Sequence, residues 1–169
     1  MMCVNALKGV TMSGSKTNAM RILDSKKIQY QTFSYEITDG KIDGVSVANK
    51  IGKEPEMVFK TLVSITPSKL IYVFVIPVEK ELDLKLAAKV AGEKKLELLP
   101  VKDLLTNTGY VRGGCSPIGM KKQYPTIIEQ SADELNEIIV SGGKIGIQLQ
   151  LNVKDLIQTT RSKLAKVAK

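Results

Sequence analysis

The sequence contains no histidine. Serine and cysteine hydrolases of the usual kind need an imidazole to take the nucleophile's proton, so they are excluded. Zinc sites built on histidine go with them. Cysteine is nearly as scarce: Cys3 and Cys115 lie far apart, too few for a sulfur-rich metal site and typical of a reduced intracellular protein. No stretch approaches about 18 consecutive apolar residues, so none reads as a membrane span. The opening residues, MMCVNALKGVTMSGSKTNAM, lack the apolar run of a secretory signal. The expected location is the cytoplasm. The arginines Arg21, Arg112 and Arg161 form no run, which argues against base-edge reading and against a DNA partner. Any catalysis must therefore use lysine, tyrosine, carboxylates, backbone N–H groups or atoms of the substrate.

What remains is a chain of ordinary globular make-up. At 169 residues and 43% hydrophobic, it suits one domain with a full core. Its net charge of +8 is unevenly spread. Residues 28–160 hold 16 basic and 16 acidic side chains, so the body is neutral. The first 27 residues hold five basic and one acidic, and the last nine, RSKLAKVAK, hold four basic and none acidic. A surplus of +4 at each end reads either as solvated tails or as attraction for a polyanion, which would show as salt-dependent binding.

Along the chain, elements alternate without an internal repeat. SKTNAMRILDSKKI (15–28) places Ala19, Ile22 and Leu23 at helical spacing, and YQTFSYEI (30–37) reads as a strand. VSVANKIG (45–52) is a short helix with a glycine stop. Two β-branched runs, 58–66 and 69–78, flank the turn Pro67–Ser68 and form a strand pair. LDLKLAAKVAG (82–92) is an amphipathic helix with Asp83 as N-cap and Gly92 as its stop. KKLELLP is a short strand, and VKDLLTNTG a further helix. PTIIEQS and EIIVSG–GKIGIQLQ give more strands, and Asn152 with Asp155 opens a last helix. Strands joined by short turns must pair antiparallel. The fold class is therefore α/β of the α+β kind: one domain, with a mixed, mostly antiparallel sheet covered by helices.

Two glycine-rich loops carry the chemical signal, GGCSPIG (113–119) and SGGKIG (141–146). Neither has the spacing of a P-loop or of GxGxxG. Each reads as a tight turn between strands or as a nest of backbone N–H groups able to hold a phosphate or a developing oxyanion. Lys60 is the other candidate. In VFKTLVSI, alternation puts Lys60, Leu62 and Ser64 on one strand face. Lys60 is then either an edge-strand lysine in solvent or a point charge facing a pocket.

In order and spacing, FKTLV, LDLKLAAKVAGEKKLELLP, TGYVRGGCSPIGMKK, PTIIEQS and IIVSGGKIG resemble the YbaK/EbsC family. These are free-standing relatives of the editing domain inserted in bacterial prolyl-tRNA synthetases. The resemblance covers roughly residues 15–160 and leaves 1–14 as a mobile N-terminal extension and 161–169 as a basic C-terminal tail. It implies a highly curved mixed sheet and removal of cysteine from mischarged cysteinyl-tRNA(Pro). It further implies the 3′ end of aminoacyl-tRNA as the partner, prolyl-tRNA synthetase as a candidate one, and no cofactor or metal. In the mechanism the family suggests, the substrate's own thiol attacks its ester carbonyl, releasing a thiolactone and free tRNA. The protein then orients the ester and stabilises the oxyanion.

Carried over by motif, the family lysine falls on Lys60, holding the aminoacyl-adenosine end. The backbone cradle falls on Gly113, Gly114, Ser116, Pro117 and Gly119, the second loop on Ser141, Gly142 and Gly143, and a strand tyrosine on Tyr35. The chain departs from the pattern in three places. Ile145 stands where many relatives carry arginine, Gln148 where some are acidic, and Cys115 where an aliphatic residue is common. Without an imidazole to activate it, Cys115 is not expected to be the nucleophile. Two other readings fit the same residues: a trans-editing hydrolase for alanyl-tRNA(Pro), and a non-catalytic module that binds tRNA or the synthetase.

Overall fold

A computed structural model describes residues 15–169. The extension expected at 1–14 lies outside the described residues. Capping residues start most of the helices. The Thr17 side chain accepts from Met20 N to open α1 (Asn18–Ser25), and Asp43 accepts from Ser46 N to open α2 (Gly44–Lys50). Asp83 and Gly92 bracket α3 (Leu84–Ala91), with Gly92 in the left-handed conformation at φ +77°. Helix α4 (Val101–Thr108) ends on Gly109, also left-handed, and the Asn152 side chain caps α5 (Val153–Thr160).

The strands form two sheets. In the first, β1 (Tyr30–Ser34), β7 (Ile147–Asn152) and β6 (Glu137–Ser141) pair antiparallel with β7 in the centre. The second has the order β4–β2–β3–β5–β8, built from β2 (Phe59–Ile65), β3 (Ile71–Pro77), β4 (Glu97–Leu98), β5 (Thr126–Glu129) and β8 (Lys163–Ala165). Pairings β2–β3 and β2–β4 are antiparallel, and β3–β5 and β5–β8 parallel. A parallel bridge between Val58 and Ile139 brings the two sheets together edge to edge.

Alternation along β3 explains how both of its faces are covered. Phe74 and Ile76 pack toward Ala87 and Ala88 of α3, whereas Val73 and Val75 join the clusters on the opposite face. The largest cluster collects Ala19, Met20 and Leu23 of α1, Leu149 and Leu151 of β7, and Leu156 of α5. Each buried leucine of this cluster contributes about 1.5–3 kcal/mol.

Three segments depart from the expectations. The first strand stops at Ser34, and the hairpin arm expected from residue 143 is regular only from Ile147. Residues 161–169 are not a tail. β8 is the edge strand beside β5, and Ala168 bridges to Leu82. The cations Arg161, Lys163, Lys166 and Lys169 point outward while Val167 and Ala168 are buried, so net charge hid an apolar anchor. Among the described residues, no helix is long and apolar enough to cross a membrane.

Candidate active site

The seam between the sheets creates the site. Two residues past the Val58–Ile139 bridge, β2 carries Lys60 and β6 carries Ser141, and both line one cavity of about 100 Å³. Tyr35, one residue beyond β1, forms another wall together with Ile42 and Gly44. Thr61, Gly113, Cys115 and Gln148 complete the polar part of the lining. Gln148 reaches it because register sets this β7 residue opposite Ser141 on one side and Phe33 on the other. Glycine is required at 44, where a Cβ would stand 2.3 Å from Val78 Cγ1.

Within the lining, Lys60 is the one ammonium group and there is no carboxylate. Burial pulls the Lys60 pKa below the usual lysine range, opposed in part by the charge of Glu81. The Tyr35 hydroxyl and Thr61 Oγ1 are buried and have no hydrogen-bond partner among the described residues. An unpaired buried hydroxyl costs on the order of 1–3 kcal/mol. Both belong to residues that border the cavity. Burial also pushes the Cys115 thiol up to about 12, which makes it a poor nucleophile.

The two glycine loops meet backbone to backbone. A Cβ on Gly114 would lie 2.9 Å from Ile145 N and 3.2 Å from Lys144 Cα. Tyr110 wedges in beside them: its hydroxyl donates to Ile118 O at 2.5 Å, and its ring lies 3.1 Å from where a Gly143 Cβ would be. Much of the N–H supply is already spent. Gly142 N donates to Ile147 O, Gly143 N to Ser141 Oγ, Gly114 N to Val111 O and Ile118 N to Ser116 Oγ. Among the described residues, the N–H groups of Gly113 and Cys115 donate to no protein acceptor, and both residues line the cavity. Unpaired N–H groups of this kind can hold an anion.

Residues 43–159 match the aminoacyl-tRNA editing domain. The chain belongs to the aminoacyl-tRNA editing domain family. Its class of activity is deacylation of aminoacyl-tRNA, as the resemblance to YbaK/EbsC implied. It is 43% identical over 152 residues to an Enterococcus faecalis protein named "Putative Cys-tRNA(Pro)/Cys-tRNA(Cys) deacylase EbsC", covering 90% of this chain and 93% of that one. Two crystal structures share the fold. One, of a hypothetical protein, has a TM-score of 0.82 at 18% identity and covers 90% of this chain and 100% of its own. The other, described as a "putative trans-editing enzyme for prolyl tRNA synthetase", has a TM-score of 0.77 at 19% identity, covering 92% and 99%.

In this editing domain the cavity gathers Tyr35, Lys60, Gly113 and Ser141 from the residues expected by sequence. Gly114, Ser116, Pro117, Gly119, Gly142 and Gly143 do not line it. Thr61 was missed because its neighbour Lys60 carried the visible signal. Gly44 was missed because one glycine in KIDGVSVANK reads as helix entry. A wider groove of about 570 Å³ between the end of α1 and α5 is lined mainly by exposed polar side chains, among them Lys26, Lys27 and Gln158. It collects none of these site residues.

Proposed function

We propose that this editing domain removes cysteine from mischarged cysteinyl-tRNA(Pro) in trans, in the cytoplasm, alongside prolyl-tRNA synthetase. One observation carries the reading. The cavity lining offers a cation and residues whose hydroxyls and N–H groups lack protein partners, but no carboxylate or imidazole to activate a nucleophile, and its one thiol is held protonated by burial. The missing nucleophile is then the substrate's thiol.

In the reaction, the cysteinyl sulfur attacks its own ester carbonyl. The carbon–oxygen bond to the ribose breaks, the thiol proton passes to the departing ribose oxygen, and a thiolactone and free tRNA leave. The Gly113 and Cys115 N–H groups face the developing oxyanion. Lys60 sits on the aminoacyl-adenosine end as a point charge, and the Tyr35 and Thr61 hydroxyls bind the polar groups around the carbonyl.

The test is incubation with cysteinyl- and alanyl-tRNA(Pro). Cysteinyl-tRNA should be deacylated faster, and Lys60→Ala should lose about 100-fold, the scale of removing one preorganised charged contact to the substrate. Faster alanine release would move the substrate to alanyl-tRNA, and release of neither would leave a non-catalytic binding module. Cys115→Val removes the thiol and keeps the backbone N–H, so its activity should stay within a few-fold. Complete loss would return Cys115 to the mechanism.

A further inference from the structure

The cavity wall formed by Tyr35–Gly44 has little sheet to hold it. β1 ends at Ser34, after which Tyr35 N donates to Gly146 O at 3.0 Å. Beyond that, Gly40 N closes a turn on Ile37 O at 3.1 Å, and Lys41 N donates to Asp39 Oδ1 at 3.0 Å. Yet the segment supplies Tyr35, Ile42 and Gly44 to the lining. It also touches both glycine loops, with Ile42 against Gly113 and Ile37 against Gly146.

A single cation gathers this segment. Lys50, the last residue of α2, donates from Nζ to Glu36 O at 2.6 Å, Asp39 Oδ1 at 2.8 Å and Lys41 O at 2.8 Å. The same nitrogen lies 5.9 Å from the centre of the Tyr35 ring. An ammonium has three N–H donors, and here all three find acceptors on one short segment. The Lys50 side chain is only 20% exposed, while that of its partner Asp39 is 42% exposed. Its hydrogen bond, with that from the Lys41 amide, holds the Asp39 carboxyl below the usual range, so the partner stays ionised.

We propose that Lys50 is a positioning residue of the editing site, which fixes the Tyr35–Gly44 wall and thereby the cavity's width and the aim of the Tyr35 hydroxyl. The inference rests on the deacylase reading of the cavity. It extends that reading to a residue outside the lining that sets selectivity between aminoacyl groups.

Three variants test it. Lys50→Met keeps the apolar stem and removes the donors. Lys50→Arg keeps a cation but spreads its donors in a plane. Lys53→Met removes the same charge three residues on, where Nζ lies over the Phe33 ring and not on the segment. On folded protein, kcat and KM are measured separately for cysteinyl- and alanyl-tRNA(Pro). Lys50→Met should lose about tenfold in kcat/KM for the cysteinyl substrate, and its preference over alanyl should fall about fivefold, the scale of losing charged hydrogen bonds. Lys50→Arg should recover part of both, and Lys53→Met should change neither more than about twofold. A purely stabilising role leaves the preference of folded enzyme unmoved. Unchanged preference, or an equal effect from Lys53→Met, would overturn the proposal.

Amide hydrogen exchange without substrate supplies a readout independent of activity. Lys50→Met should speed exchange in residues 36–41 and leave β7 unchanged, and unchanged exchange in 36–41 would overturn the positioning role. If wild-type protein deacylates neither substrate, the functional reading fails, while the exchange data still decide whether Lys50 holds the wall.

Discussion

At the scale of single residues, the proposed site rests on a lysine in a place that disfavours its charge. Burial lowers the Lys60 pKa, so its cation is lost at lower pH than an ordinary lysine's, about 10.4. The unfolded chain holds that proton more tightly than the folded one. Lys60 therefore costs stability below its folded pKa, and the cost fades as pH rises through it. Lys60→Met should accordingly keep or slightly raise the melting temperature while losing deacylation. The activity profile follows the same sign. The rate rises as the substrate thiol ionises near about 8.5, then falls as Lys60 loses its proton. Lys60→Arg, whose guanidinium stays charged, should keep the rising limb and lose the alkaline fall. The same fall in the arginine variant would assign that limb to another group. Lys60 stood out in the sequence because a lysine in an apolar strand breaks the local pattern, whereas Tyr35 came only from the family resemblance, an aromatic in a strand being ordinary. Lys50 was not legible, since the carbonyls it binds are nine to fourteen residues away along the chain.

At the scale of elements, local chemistry predicted local structure well. Asp83 and Gly92 fixed both ends of α3, and Asn152 the start of α5, because caps depend on adjacent residues alone. The glycine loops were legible as loops, but which of their N–H groups remain free was not. That depends on the backbone contact between Gly114 and Lys144–Ile145 and on the Tyr110 wedge, both long-range. The contact gives a paired prediction. Gly114→Ala drives a Cβ to 2.9 Å from Ile145 N, where backbone must yield, at a cost of about 1–3 kcal/mol. Gly92→Ala strains a left-handed C-cap with nothing within 4 Å and costs about 1 kcal/mol. Denaturant unfolding should find comparable losses, yet only Gly114→Ala should lower kcat, because only it moves the Gly113 and Cys115 N–H groups. Equal kcat in the two variants would remove the loop contact from catalysis.

At the scale of the whole molecule, the fold is closed by its last residues. The edge strand β8 is three residues long, basic and joined in parallel to β5, so no local pattern announces it. Its anchor is Glu129 at the end of β5, only 6% exposed. One carboxylate oxygen accepts from Val167 N at 2.9 Å and Ala168 N at 2.8 Å, and the other from Ser131 N at 3.1 Å. Lys169 exchanges both backbone hydrogen bonds with Glu81, and Asp83 N donates to Val167 O at 2.8 Å, so the C-terminus also pins the entry to α3. Removing residues 163–169 exposes the surface that Val167 covers, worth about 1.5–3 kcal/mol. It also strips a buried carboxylate of two donors, at about 1–3 kcal/mol or more. Together they come to about 2.5–6 kcal/mol, a large part of the stability of a small domain, about 5–15 kcal/mol. Truncation after Ser162 should therefore lower the melting temperature sharply in thermal melts followed by circular dichroism. Glu129→Gln, which keeps one acceptor oxygen, should fold with a lower melting temperature. A truncated chain that melts like the full one would restore the solvated tail that the charge of RSKLAKVAK suggests. Deacylation separates the two cases further. Glu81, which sits in the C-terminal pairing, also supplies the negative charge that partly offsets the burial of Lys60. Loosening the C-terminus in Glu129→Gln should therefore shift the alkaline limb of activity downward, and a melting temperature that falls with no such shift would confine the closure to stability.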